Sequence, residues 1–167
     1  MKIRPEILLC PNVPLPLHGT TPREIKGVRW WNVTRLKAYE STDYHCAACG
    51  VHKTKAKYHK WVEAHELYNY NYKIGRATLE EVVPLCYSCH SYIHSGRLEI
   101  LLNSGYISAA KYNNIILHGD TILKAANLIK LLPPKEVANW EDWRLILDGK
   151  EHKGKFNSRE EWRKYYK

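Results

Sequence analysis

The sequence has no run of about 18 apolar residues, so it predicts no membrane-spanning helix. Its first apolar stretch, Ile7-Leu8-Leu9, is too short for the core of a secretory signal, and Cys10 and Pro11 follow at once. We therefore expect an intracellular, cytoplasmic protein whose thiols stay reduced. No internal repeat and no low-complexity segment is present. Acidic residues are scarce against basic ones, and the chain carries a formal net charge of +9. That balance suits an anionic partner such as nucleic acid, although a basic surface with no such partner fits it equally well. No base-recognition motif can be read, so sequence specificity stays open.

What is present is more informative. The chain has 167 residues, enough for one domain with a real core. Of five cysteines, four form two Cys-x-x-Cys pairs, Cys46/Cys49 and Cys86/Cys89. In a reducing compartment paired Cys-x-x-Cys reads as a metal site before it reads as disulfides. Zinc takes four tetrahedral ligands, and two such turns supply four thiolates. A redox dithiol protein is the competing reading, and it predicts thiols that titrate freely. Cys10, in a proline-rich stretch, reads as a small buried hydrophobe.

Residues 1–28 are rich in Pro and Gly (Pro5, Pro11, Pro14, Pro16, Gly19, Pro22, Gly27) and read as an arm wrapped over the core. Helical spacing runs from Arg29 to Glu40 through Trp30-Trp31, Val33, Leu36 and Tyr39. Lys53, Lys55 and Lys57 alternate, which suggests a strand with one basic face, and Trp61 to His65 reads as its return. Tyr68 to Gly75 reads as a loop whose tyrosines cover the hairpin or stack on bases, with the covering role favoured. A helix is expected from the second cysteine pair through His90, His94, Leu98, Leu101 and Leu102 to about Gly105. Another is expected from Ser108 to about Leu131, with Gly119 as a candidate break, ended by Pro133-Pro134. Asp148-Gly149 signals a hairpin, and Ser158 with Glu161 signals a capped last helix. The domain expectation is an arm and helix over 1–43, a zinc-stabilised core over 44–105 and an extension over 106–167.

His90 and His94 lie four apart on the expected helix, so both face one way and can share a metal ion. His65 is a third candidate ligand. His45, His52 and His59 read as surface residues, and His18, His118 and His152 have no context.

Cys46-x-x-Cys49-Gly50, then Glu63-Ala64-His65-Glu66, then Leu85-Cys86-x-x-Cys89-His90-x-x-x-His94 resembles the HNH endonuclease family with its ββα-metal fold. The resemblance covers roughly Tyr44 to Gly96. It implies an α+β fold with a ββα-metal core and zinc knuckle, flanked by an N-terminal arm and helix, C-terminal helices and a small hairpin. It implies a phosphodiester hydrolase acting on nucleic acid, DNA before RNA. It also implies a second divalent ion (Mg, Mn, Ni or Zn) on His65, His90 and His94. Two departures matter. Members often carry a ligand followed by a base histidine at the hairpin end. Here the pair is Ala64-His65 or His65-Glu66, and we favour the second because Ala64 cannot bind metal. Glu66 then stands in the base position. Glu81 stands about where the family's asparagine is expected, with a functional and a structural reading both open. Lys53, Lys55, Lys57 and Arg97 are the candidate phosphate contacts, and the basic tail (Lys150, Lys153, Lys155, Arg159, Arg163, Lys164, Lys167) is a second possible patch or a solvated face. The alternative function is a catalytically degenerate zinc-dependent module that binds nucleic acid or protein.

Overall fold

A computed structural model describes residues 2–130, 134–135 and 137–166. The chain is α+β, with five α-helices and a four-stranded mixed sheet among these residues. The helices are α1 (Pro22–Ser41), α2 (Tyr87–Ile93), α3 (Ser95–Asn103), α4 (Ala109–Ala125) and α5 (Arg159–Tyr165). The strands are β1 (Val62–Asn71), β2 (Arg76–Cys86), β3 (Arg144–Leu147) and β4 (Lys150–Lys153), in the order β1-β2-β3-β4. The four-residue connection between β1 and β2 forces an antiparallel hairpin. β2 pairs parallel with β3, and β3 antiparallel with β4. No described helix is long and apolar enough to cross a membrane.

The chain divides into two compact units. One comprises Met1–Asn12, Arg35–His65 and Val82–Leu131, and the other Val13–Thr34, Glu66–Glu81 and Leu132–Lys167. In the first, the N-terminal arm is tied down: Arg4 N–H donates to the Ala47 carbonyl at 2.8 Å, and Ile7 and Leu8 are buried beside α2 and α4. Helix α4 lies against α2 so closely that a Cβ on Gly119 would enter the Tyr92 ring. The Tyr92 hydroxyl donates to Asp120 at 2.6 Å, which fixes that ring. Leu85, Leu98 and Ile115 are fully buried in this unit.

The second unit is built around Leu17, Ala77, Trp143, Leu145 and Leu147. Tyr68, Tyr70 and Tyr72 pack against that cluster. Asp148 and Gly149 both have positive φ (50° and 74°), the backbone of a type I′ turn, so the Asp-Gly hairpin is present as expected. Ser158 caps α5, accepting from Glu161 N–H at 3.2 Å, while Glu161 Oε2 accepts from Asn157 N–H at 2.7 Å.

Several expectations need correcting. Lys53–Lys55 form a 3-10 turn and not a strand. His52 caps that turn, and Lys53 Nζ lies over the Tyr44 ring at 3.4 Å, so the alternation marks a solvated turn. The hairpin begins later, and the tyrosine stretch is its first strand, continuing to Asn71. Tyr68 and Tyr70 share one face at the strand period of two, which brings them onto the second unit's core. The helix after the second cysteine pair breaks at His94 (φ −87°, ψ 48°) into α2 and α3. Helix α1 starts at Pro22, behind a Thr21/Glu24 capping box, and kinks at Gly27, where φ is 84°. Helix α4 ends at Ala125, with Asn127 in the left-handed region, and not near Leu131. Leu131, Pro133 and Lys167 lie outside the described residues.

Candidate metal centres

Cys46 and Cys49 lie on a tight turn in which Gly50 N–H returns to the Cys46 carbonyl at 2.8 Å. Gly50 sits at φ 75°, a conformation costly for residues with a Cβ. Cys86 ends β2 and Cys89 lies in the first turn of α2, so the pair straddles a strand-to-helix junction. The Ala47 N–H to Pro84 carbonyl bond, 2.8 Å, holds the two cysteine segments together. The four Sγ atoms converge within 4.8 Å of one another, with Cys46, Cys86 and Cys89 buried.

Cys49 Sγ and Cys86 Sγ are 3.8 Å apart. Four sulfurs about 2.3 Å from a central zinc form a tetrahedron with edges of about 3.8 Å, so this donor set fits zinc. The cysteines are all free thiols. Hydrogen bonds from its three neighbours hold Cys46 far below the ordinary thiol range, while Cys86 and Cys89 are pushed up by the hydrogen bonds they donate to their neighbours and by burial. Four thiols so close cannot all ionise without a cation among them.

His118, on α4, places its Nε2 3.5 Å from Cys89 Sγ. A ring N–H aimed at a thiolate relieves part of the negative charge of a four-cysteine centre. No motif links His118 to the knuckle, and only the packing of α4 on α2 reveals it. Cys10 stands apart, half-buried, with its thiol pushed up by burial, as a small hydrophobe would be.

The second cluster is His65, His90 and His94, whose candidate ligand nitrogens also lie within 4.8 Å of one another. Ring centroids are 5.3 Å (His65–His90), 5.1 Å (His65–His94) and 4.7 Å (His90–His94) apart. All three pairs meet edge-on, at 75°, 64° and 79°, so the rings do not stack. His90 sits in the last turn of α2 and His94 caps its C-terminus, its N–H bonded to the His90 carbonyl at 3.2 Å. His65 comes from β1 and is buried.

His90 Nδ1–H donates to Glu63 Oε2 at 2.6 Å. A carboxylate on one imidazole nitrogen fixes the tautomer and turns the other nitrogen's lone pair to a metal. Glu63 stands in the hairpin motif, but the resemblance gives it no role. The readable signal was its parity: on a strand, Glu63 and His65 point to the same face. Burial raises the Glu63 carboxyl, but its bond to His90 and the nearby His59 outweigh this and leave it below the usual carboxylate range. His59 Nδ1 lies 3.5 Å from Glu63 Oε1, so His59 belongs to this neighbourhood and is not a plain surface residue.

Burial, with His90 and His94 beside it, pushes His65 down to about 3. Burial, with His90 and Arg97 beside it, pushes His94 down to about 4. Both rings are therefore neutral near pH 7, with lone pairs available. Three imidazoles leave positions open on an ion, as catalytic sites do, whereas four cysteines close one. A cleft of about 140 Å³ adjoins the cluster, lined among others by His59, Glu63, Tyr87, His90, His94 and Arg97.

The structure thus brings together all seven metal-ligand candidates, and Arg97 with them. It does not bring Glu66 or Glu81 into the histidine cluster. Glu66 follows His65 on β1 and so leaves on the opposite face, and Glu81 is exposed on β2. Lys53, Lys55 and Lys57 do not line the cleft. Comparison with known families, curated proteins and solved structures finds no significant match for this chain.

Proposed function

We propose that the chain is a metal-dependent phosphodiesterase of the HNH type, with a ββα-metal core, acting on DNA. One observation carries this reading: a closed four-cysteine cluster is joined to an open three-histidine cluster where His90 directly follows Cys89, and His90 is oriented by Glu63. Hairpin strands β1 and β2 run into α2, and the histidines come from β1 and α2, the arrangement the resemblance implies. A divalent ion held by His65, His90 and His94 supplies Lewis-acid stabilisation of the charge that develops on a phosphodiester. Glu63 holds His90 in its ligating tautomer. Arg97, exposed on α3 beside His94, neutralises a phosphate oxygen. The net charge of +9 favours association with a polyanion.

The test is cleavage of plasmid and oligonucleotide DNA by zinc-loaded protein with added Mg, Mn or Ni, beside His65→Ala and His90→Ala. Metal-dependent cleavage lost in both variants is expected. No cleavage with any ion, or cleavage untouched by both substitutions, would sink the reading.

A second reading has its own support. Glu66 and Glu81 stand where the resemblance sets a base histidine and an orienting asparagine, so the sequence lacks the usual residues at both positions. That favours a zinc-dependent nucleic-acid or protein binding module without turnover. Salt-sensitive DNA binding with no cleavage decides for it. Cleavage lost in Glu66→Gln with metal affinity intact assigns Glu66 as the base and decides against it.

A further inference from the structure

The cleft beside the histidines has an aromatic wall that metal binding does not use. His59 and Tyr87 both line it, with ring centroids 4.3 Å apart. Trp61 stacks on His59 at 4.3 Å, with the planes only 22° apart. Tyr58 extends the row edge-on to Tyr87 at 5.6 Å. Lys111 Nζ lies over both tyrosines, 4.7 Å and 4.4 Å from their centroids. Trp61 immediately precedes β1 and shares the parity of Glu63 and His65. Yet its side chain is not part of any core, and the residue is 52% exposed.

A large flat ring left open to solvent and backed by His59, at the edge of a cleft that Arg97 also lines, matches what stacks on a nucleobase. His59 covers one face of the indole and itself meets Tyr87, while Trp61 stays half exposed. We propose that Trp61, supported by His59, is a stacking platform for an unpaired base, so that this site takes single-stranded nucleic acid in preference to continuous duplex. In a duplex each base is already stacked on both faces, and reaching Trp61 would require unstacking it first. Lys111 and Arg97 supply positive charge for the flanking phosphates. The proposal rests on the nucleic-acid reading of the histidine site and adds to it the form of the substrate.

The test uses the full chain with zinc in the knuckle and no second divalent ion, so that binding is read without cleavage. Anisotropy of labelled single-stranded and duplex oligonucleotides is measured over a salt series for wild type, Trp61→Ala and Trp61→Phe. Wild type should favour the single strand. Trp61→Ala should weaken single-strand binding about ten-fold, with duplex affinity and salt slope unchanged because no charge is removed. Trp61→Phe should recover most of the loss. Single-strand affinity unchanged in Trp61→Ala overturns the proposal, and so does equal loss on both substrates or binding of neither. Trp61-dependent single-strand binding by a protein that never cleaves refutes the nuclease reading alone. Metal-dependent cleavage with no role for Trp61 refutes the platform alone.

Discussion

Replacing Glu63 by Gln keeps the side chain's shape and removes its charge. In the folded chain Glu63 Oε2 accepts from His90 Nδ1 at 2.6 Å, with side-chain exposures of only 27% and 18%. Such a pair is not screened like a surface ion pair. A hydrogen bond to a charged group contributes about 1.5–3 kcal/mol. If that energy is spent on holding the His90 tautomer, divalent-ion affinity at the histidine cluster should fall roughly ten- to a hundred-fold in Glu63→Gln, the usual cost of losing such a partner. The assay is calorimetric titration of Mn or Ni into zinc-loaded protein, with retention of knuckle zinc followed by a chromophoric chelator as internal control. Affinity within two-fold of wild type would refute the argument, because His90 would then not need its carboxylate to ligate. Loss of knuckle zinc along with the second ion would refute it differently, by making Glu63 a structural residue of the whole unit.

The His65 shift gives stability a pH dependence with a definite sign. Its folded value, about 3, lies below the ordinary 6.5, so between these values the unfolded chain binds the proton that the folded chain refuses. The contribution is fully present above pH 6.5 and is lost as pH falls. Denaturant unfolding without a second ion should show wild type losing about 2 kcal/mol more than His65→Gln between pH 7 and pH 5; parallel losses would contradict the burial argument. His118→Ala removes the donor 3.5 Å from Cys89 Sγ and should weaken zinc retention about ten-fold in chelator competition, while His152→Ala should not. Gly119→Ala drives a Cβ into the Tyr92 ring and should cost about 1–3 kcal/mol in denaturant unfolding, where an open helical position would gain stability from Ala.

The metal-ligand candidates were legible because spacing encodes them. Two Cys-x-x-Cys turns and a His-x-x-x-His on a helix are local patterns, and local geometry suffices to orient each pair. One histidine on a strand has no spacing of its own, so His65 is a candidate ligand in the sequence but only the resemblance ties it to His90 and His94. Residues that act across the fold were not legible. Glu63 meets His90 only once the hairpin lies beside α2, and His118 meets Cys89 only once α4 packs through Gly119 onto Tyr92. The lysine alternation misled because period two in charged residues carries no burial information. The same period in Tyr68 and Tyr70 was real, but the turn-like Asn-Tyr repeat concealed it. The Asp-Gly turn and the Ser158 cap were legible because each is chemistry within a few residues.

The two clusters are also unequal, and chain order shows why. Cys89 and His90 are neighbours, and Cys86 ends the strand from which α2 departs. The cysteine pairs therefore fix where α2 begins, and through it where His90 and His94 point. His65 arrives independently on β1. Emptying the histidine cluster leaves the anchors of α2 in place, whereas emptying the cysteine cluster releases the helix that carries two of the three histidines. Metal binding should then be ordered. Stripping the second ion should leave knuckle zinc bound, but a Cys46→Ser, Cys49→Ser protein should lose both, even with all three histidines intact. If that double variant bound Mn or Ni as wild type does, the histidine cluster would have to be organised by the hairpin and the α2–α4 packing alone, and the knuckle would not be its scaffold.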